Sequence, residues 1–199
     1  MKRRTQRERA GTTRGALIAA ASELFAERGY HQVAADSVAR RAGVTSGALY
    51  HHFRDKRDLF GAAVDAAEAR LARRVAGAAA AGQDPWERLQ LGIVEYLEAC
   101  SEPGSGRLLF LDAPSILGAG EWRRIQTTHH LRPLRAALAG AMRAGFLERQ
   151  PPDPLARLLL GALGEASIAP SPEQGDLRVA ALWLLGRLRR PAGAQPSLV

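Results

Sequence analysis

An all-α fold is predicted for this chain by three features of its sequence. Alanine and the aliphatic residues supply most of its 46% apolar content while aromatic residues make up 6%, a balance that favours helix over sheet. Apolar positions recur three and four residues apart through most of the length. Glycines and prolines fall between those periodic stretches, where helices start or stop. No internal repeat and no strand-like alternation interrupts this pattern. At 199 residues there is room for one domain or two small ones with a real core.

Residues 1–11, MKRRTQRERAG, are basic and aperiodic and read as a disordered arm. Its cations can lie on phosphates or enter a minor groove, or merely raise solubility. Thr12 or Thr13 opens the first helix, whose buried stripe is Leu17, Ile18, Ala21, Leu24 and Phe25, and Gly29 ends it. Tyr30 packs on the same platform.

The stretch AADSVARRAGVTSGALYHHFRDK, residues 34–56, reads as two short helices around a tight turn. Asp36 and Ser37 can cap the first, Val38, Ala39 and Ala42 share one face, and Gly43 stops it in the left-handed conformation. Thr45 or Ser46 caps the second. Leu49 and Phe53 point inward, leaving Ser46, Gly47, Ala48, Tyr50, His51 and His52 outward. These are the small, aromatic or hydrogen-bonding residues a helix needs to approach base edges and phosphates, with Thr45 and Lys56 placed to set its register. The competing reading packs Tyr50 or His52 against the preceding helix. Of the chain's 28 Lys and Arg and 20 Asp and Glu, residues 1–57 hold 12 and 5, a net +7 against +1 for the rest. Excess charge confined to the same segment is what phosphate neutralisation requires.

Asp55 caps a long helix running to about Arg74 or Val75, with Phe60, Val64, Ala67, Leu71 and Val75 inward. Asp84-Pro85 starts the next, striped by Trp86, Leu89, Ile93, Tyr96, Leu97 and Cys100. The apolar run 107–118 is broken by Pro114, and Pro133 should kink the following helix by removing a backbone bond. Two helices close the chain, the last striped by Leu177, Ala181, Leu184, Leu185 and Leu188, and the tail from Pro191 reads as disordered.

With these residues in view, GVTSGALYHHFRDKRDLF, preceded by a helix ending LFAERGY, resembles the DNA-binding domain of the TetR/AcrR family of bacterial transcriptional regulators. The resemblance departs at Val33, Ala34 and Ala35, where the family usually carries a phosphate-holding Thr or Ser; Ser37 is the nearest hydroxyl. It implies a helix-turn-helix DNA-binding domain over residues 12–57, followed by a helical effector-binding and dimerisation domain over 58–190, with a disordered tail over 191–199. It also implies a homodimer through the last two helices, where Gly161, Ala162, Gly164, Ala166 and Ser167 permit close approach. A repressor released from a near-palindromic double-stranded operator by a small, mostly apolar effector is the resulting expectation. Tyr96, Phe110, Leu111, Trp122, Ile125 and His129 are the candidate effector contacts, each of which also reads as plain core.

Rival chemistry finds less support. Adjacent His51-His52 and His129-His130 diverge by about 100° on a helix, whereas metal pairs sit at i and i+4, so no metal is expected. Cys100 on an apolar stripe reads as core rather than redox sensor. No nucleophile–base pair or phosphate-cradling glycine loop marks an enzyme, and no cofactor is expected. An activator, a regulator controlled by a partner protein, and a helical enzyme or binding protein with a DNA-binding tail are the alternatives. No apolar run reaches membrane-spanning length and the basic N-terminus is followed by no hydrophobic core, so a cytoplasmic location is expected.

Overall fold

The computed structural model describes residues 6–169 and 173–190, and every described element is helical apart from an isolated bridge between Leu147 and Arg189. The tail expected to be disordered, 191–199, and residues 1–5 of the arm lie outside the described residues. The chain divides into two compact units, Met1–Arg70 with Glu102–Ile125, and Leu71–Ser101 with Gln126–Val199.

In the first unit, α1 (Gln6–Arg28) begins a turn and a half before Thr12, so residues 6–11 are helical rather than a disordered arm. Leu17, Ala21, Leu24 and Phe25 are buried as the periodicity requires, with Ala20 in place of Ile18. Gly29, at φ +78, accepts the left-handed turn that ends the helix, its N–H bonding Phe25 O at 2.8 Å. α2 (Ala35–Arg41) and α3 (Ser46–His52) follow, separated by Gly43 at φ +69. α4 (Lys56–Ala80) starts where Asp55 accepts the Asp58 N–H at 2.7 Å. It continues past Val75 because the alanine run there has the highest helix propensity.

Residues 102–125 complete this unit. A wide π-turn, Arg107–Asp112, leads into α6 (Ala113–Leu117), and α7 (Ala119–Gln126) follows Gly118; α5 (Pro85–Cys100) precedes them in the chain. A second π-turn, Thr127–Leu131, joins α7 to α8 (Arg132–Arg143). Each π-turn immediately precedes a proline at the second position of the next helix, Pro114 or Pro133. Proline lacks an N–H and its ring collides with the carbonyl four residues back. An extra residue in the turn removes that collision, so both prolines are absorbed by local widening rather than by a chain break.

Several long-range bonds hold the segment 102–125 within the unit. Arg57 donates from Nε to Ile116 O at 3.1 Å and from Nη2 to Leu117 O at 2.7 Å, and pairs with Glu121 at 3.1 Å. The Tyr30 N–H donates to Asp112 Oδ2 at 2.9 Å. Gly104, at φ +82, lies so close to Ala26 that a Cβ there would strike the Ala26 carbonyl. Gly104→Ala should therefore destabilise the protein by at least about 1–2 kcal/mol from backbone conformation alone, read as a lower urea midpoint; an unchanged midpoint would contradict this approach.

The second unit packs α5 against α8 and α9 (Pro152–Ile168), with α10 (Glu173–Leu188) beside α9. Asp84 caps α5 through 2.8 Å bonds from the Trp86 and Glu87 N–H groups, with Pro85 in the first turn. Ala181 and Leu185 of α10 are buried as expected, but Leu184 is half exposed. Adjacent residues diverge by about 100° on a helix, so the stripe that buries Leu185 leaves Leu184 to one side.

Candidate nucleic-acid interface

The turn between α2 and α3 is built so that α3 presents its outer face. Val44 N–H reaches back to Ala39 O at 3.0 Å, closing the turn around Gly43. Thr45 Oγ1 accepts the Ala48 N–H at 3.2 Å and so caps α3, while Leu49 and Phe53 are buried and fix its rotation. The outer face then carries Gly47, Tyr50 and His51 exposed, with Ser46, Ala48 and His52 half-buried. Tyr50 is 54% exposed, so it is not packed on the first helix. His52 stands edge-on to His51 with ring centroids 5.4 Å apart.

Two polar residues have internal duties that primary structure does not disclose. Asp36 and Ser37 were both expected to cap α2, yet the capping position is Ala34 and no side chain caps it. Asp36 instead accepts the Ser46 hydroxyl at 2.7 Å, tying the start of α2 to the start of α3. Ser37 Oγ donates to Ala34 O at 2.6 Å, so its proton is spent within the chain and only its lone pairs face outward. Arg41 is likewise engaged, with Glu23 at 3.0 Å and Glu27 at 3.7 Å. Arg40 is exposed and has no ion-pair partner among the described residues, a cation that the helix pattern left unassigned.

Lys56, at the first position of α4, holds Nζ 4.2 Å from the centroid of the Tyr30 ring. Partial burial pushes its pKa down from the usual lysine value. The Tyr30 phenol is pushed up, first by burial and then by the Asp55 carboxylate. Its ring meets Phe60 at 4.9 Å and Phe25 at 5.8 Å, so Tyr30 belongs to the aromatic platform beneath the motif.

The second unit contains a cavity of about 210 Å³ between α4, α5, α8, α9 and the second π-turn. Tyr96 and His129 line it, as does His130, whose ring centroid lies 5.3 Å from that of Tyr96. Phe110, Leu111, Trp122 and Ile125 do not: they belong to the first unit, where Trp122 Nε1 donates to Leu109 O at 3.0 Å and Ile125 is fully buried. Leu111 is 52% exposed. The π-turns and prolines divert residues 102–125 into the helix-turn-helix unit, and apolar periodicity alone does not reveal which unit a short helix joins. Arg88, Leu89 and Leu163 also form the wall: helical spacing places Leu89 on the α5 stripe but does not separate a cavity wall from plain core, and it gives no role to Arg88.

Cys100 is 2% exposed within α5. Among the described residues no group of three His, Cys, Asp or Glu is disposed to hold a metal, and no helix is long and apolar enough to cross a membrane.

Comparison with known proteins matches residues 17–63 to the family model described as bacterial regulatory proteins, tetR family, and residues 86–190 to the tetracyclin repressor-like C-terminal domain. The transcriptional activator FasR of Mycolicibacterium smegmatis is 36% identical over 98 residues, which is 49% of this chain and 45% of that protein. The repressor BepR of Brucella suis is 50% identical over 58 residues, 29% of this chain and 27% of its own length. These matches thus span less than half of each curated relative. A solved TetR-family transcriptional regulator from Pectobacterium atrosepticum superposes with a TM-score of 0.77 at 30% identity, covering 97% of this chain and all of that one.

Proposed function

We propose that this chain, which belongs to the TetR family of bacterial transcriptional regulators, acts as a homodimeric repressor released from its operator by a small apolar-bodied effector. It is a DNA-binding regulator and not an enzyme. The observation that carries the reading is the outward face of α3, with Gly47, Tyr50 and His51 exposed on a helix whose rotation is fixed by buried Leu49 and Phe53. Small residues at its start let the backbone approach base edges, while Tyr50, His51 and His52 contact bases or phosphates. Thr45, Ser46, Ala48 and Lys56 set register, and Ser37 contributes at most as a hydrogen-bond acceptor. Two such helices would enter successive major grooves about 34–36 Å apart, on a near-palindromic site.

Dimerisation is supported by an unpartnered face on α9 and α10. Leu158, Val179 and Trp183 are 74%, 69% and 57% exposed, and the glycines at 161, 175 and 186 face open space. Such a patch on a monomer marks an interaction surface. The effector half of the reading rests on the cavity, whose wall includes Ala72, Val75, Ala76 and Ala79 from the same α4 that begins at Lys56. An effector shifts the protein away from DNA only through its differential affinity for the two states.

Operator selection from random duplexes with the purified full chain, followed by titration at rising salt, tests the DNA reading. Affinity should fall steeply with salt, and indifference to salt would refute phosphate contacts. With the selected operator, Tyr50→Ala should weaken binding about 5- to 150-fold, the loss of one good base contact. Lys56→Gln should weaken all sequences alike and reduce the salt slope by about one. Both variants should melt with the wild type; unaltered DNA affinity would remove these residues from the interface. The matched relatives include both an activator and a repressor. A promoter fusion in which the protein raises transcription would therefore decide for the activator.

A further inference from the structure

The cavity wall has a charge pattern that narrows what can occupy it. Apart from Arg88, Tyr96, His129 and His130, every wall residue is apolar or glycine, and no Asp or Glu belongs to the wall. Arg88 is therefore the one permanent charge. Its position is built by the backbone: Nε donates to Gly82 O at 3.0 Å, and a Cβ at Gly82 would lie 2.6 Å from Arg88 N. Only glycine admits this approach. Arg88 is exposed, and among the described residues its Nη groups meet no acceptor. A guanidinium with Nε pinned still offers its two Nη groups end-on, a fork that matches the two oxygens of a carboxylate.

The remaining polar groups stand at another level. Tyr96 lies eight residues beyond Arg88 on α5, about 12 Å along the axis at 1.5 Å per residue. Leu89, Gly92 and Ile93 occupy the interval, and Leu134 and Leu160 come from other helices. An occupant thus meets a cation near one end, aliphatic wall along its body, and the rings of Tyr96 and His130 near the other. A cavity of about 150 Å³ accommodates benzene. The observed volume of about 210 Å³ suits one ring with a short substituent, or a short hydrocarbon chain.

We propose that this cavity takes a small monocarboxylate, its carboxylate on the Arg88 Nη groups and its hydrocarbon body running toward Tyr96 and His130. The proposal rests on the reading of the cavity as an effector site and names the class of effector. A neutral compound of equal size would fill the same apolar space but make no charge-assisted bond to the guanidinium.

Calorimetric titration of the full-length protein with octanoate and benzoate, each against its alcohol (1-octanol and benzyl alcohol), tests it. At least one carboxylate should bind about tenfold or more tighter than its alcohol, the scale of a charge-assisted bond. Arg88→Gln should abolish that preference while leaving alcohol binding within about threefold. Arg88→Lys keeps stem and charge without the fork; it should retain only part of the preference, and it carries the test where Arg88→Gln fails to fold. Equal binding of acid and alcohol, an unchanged preference in the variants, or no binding of either carboxylate would overturn the proposal. Gel-shift on the selected operator separates this from the parent reading. Carboxylates that bind through Arg88 yet leave DNA bound would sink the effector role and keep the ligand class. Release by the alcohols alone would do the reverse.

Discussion

The double substitution Leu158→Glu with Trp183→Glu should convert the protein to a monomer and abolish stable operator binding. Both side chains stand on the exposed faces of α9 and α10, 74% and 57% accessible. The Arg187 guanidinium lies 5.0 Å from the Trp183 ring centroid, so the aromatic face is flanked by a cation while the apolar body remains open. In a two-fold dimer each substitution appears twice. Four carboxylates would then have to be buried without partners, each costing several kcal/mol. The dimer dissociation constant should rise by a factor on the order of a thousand or more, since each ~1.4 kcal/mol is tenfold. Light scattering behind size exclusion should show one chain per particle, with the helical circular dichroism retained. Binding to a full operator should fall to that of a half-site. A variant that stayed dimeric would place the interface elsewhere.

Phe60→Ala should cost about 3–5 kcal/mol of folding stability, the usual range for deleting a buried phenyl ring. Phe60 is fully buried near the start of α4 and meets Phe25 edge-on at 5.0 Å and Tyr30 at 4.9 Å. These rings join the end of α1, the turn after Gly29 and the start of α4, the platform beside the motif. Against a typical total of ~5–15 kcal/mol, losing this ring should leave the protein partly unfolded at physiological temperature. Urea unfolding gives the magnitude, and operator affinity should fall with it although no DNA contact is removed. A cost below about 1 kcal/mol would show that the three rings do not support one another.

Much of the helix-turn-helix unit was legible because its signals are local. Gly29 and Gly43 stop helices where only left-handed backbone continues the chain, and Asp55, Asp84 and Thr45 cap helices through amides two or three residues away. Leu49 and Phe53 followed from spacing alone. Residues whose partners are distant in sequence were read less well. Asp36 serves Ser46 ten residues on, not its own helix, and Arg57 holds Leu117 sixty residues away. Arg88 carries no signal in the sequence, and only the approach of Gly82 and the surrounding wall give it a meaning.

The same division runs through the chain as a whole. Helical class, the two motif helices and the concentration of positive charge are set by interactions within a few residues or by composition, so the sequence by itself determined them; of the small residues on α9 assigned to a dimer contact, Ala166 and Ser167 are instead buried within the chain. Which unit receives residues 102–125, which rings border the cavity and which cation faces it were decided by tertiary packing. Two apolar helices of equal periodicity are interchangeable until long-range contacts choose between them. Here the π-turns before Pro114 and Pro133, together with the Arg57 and Tyr30 bonds, made that choice.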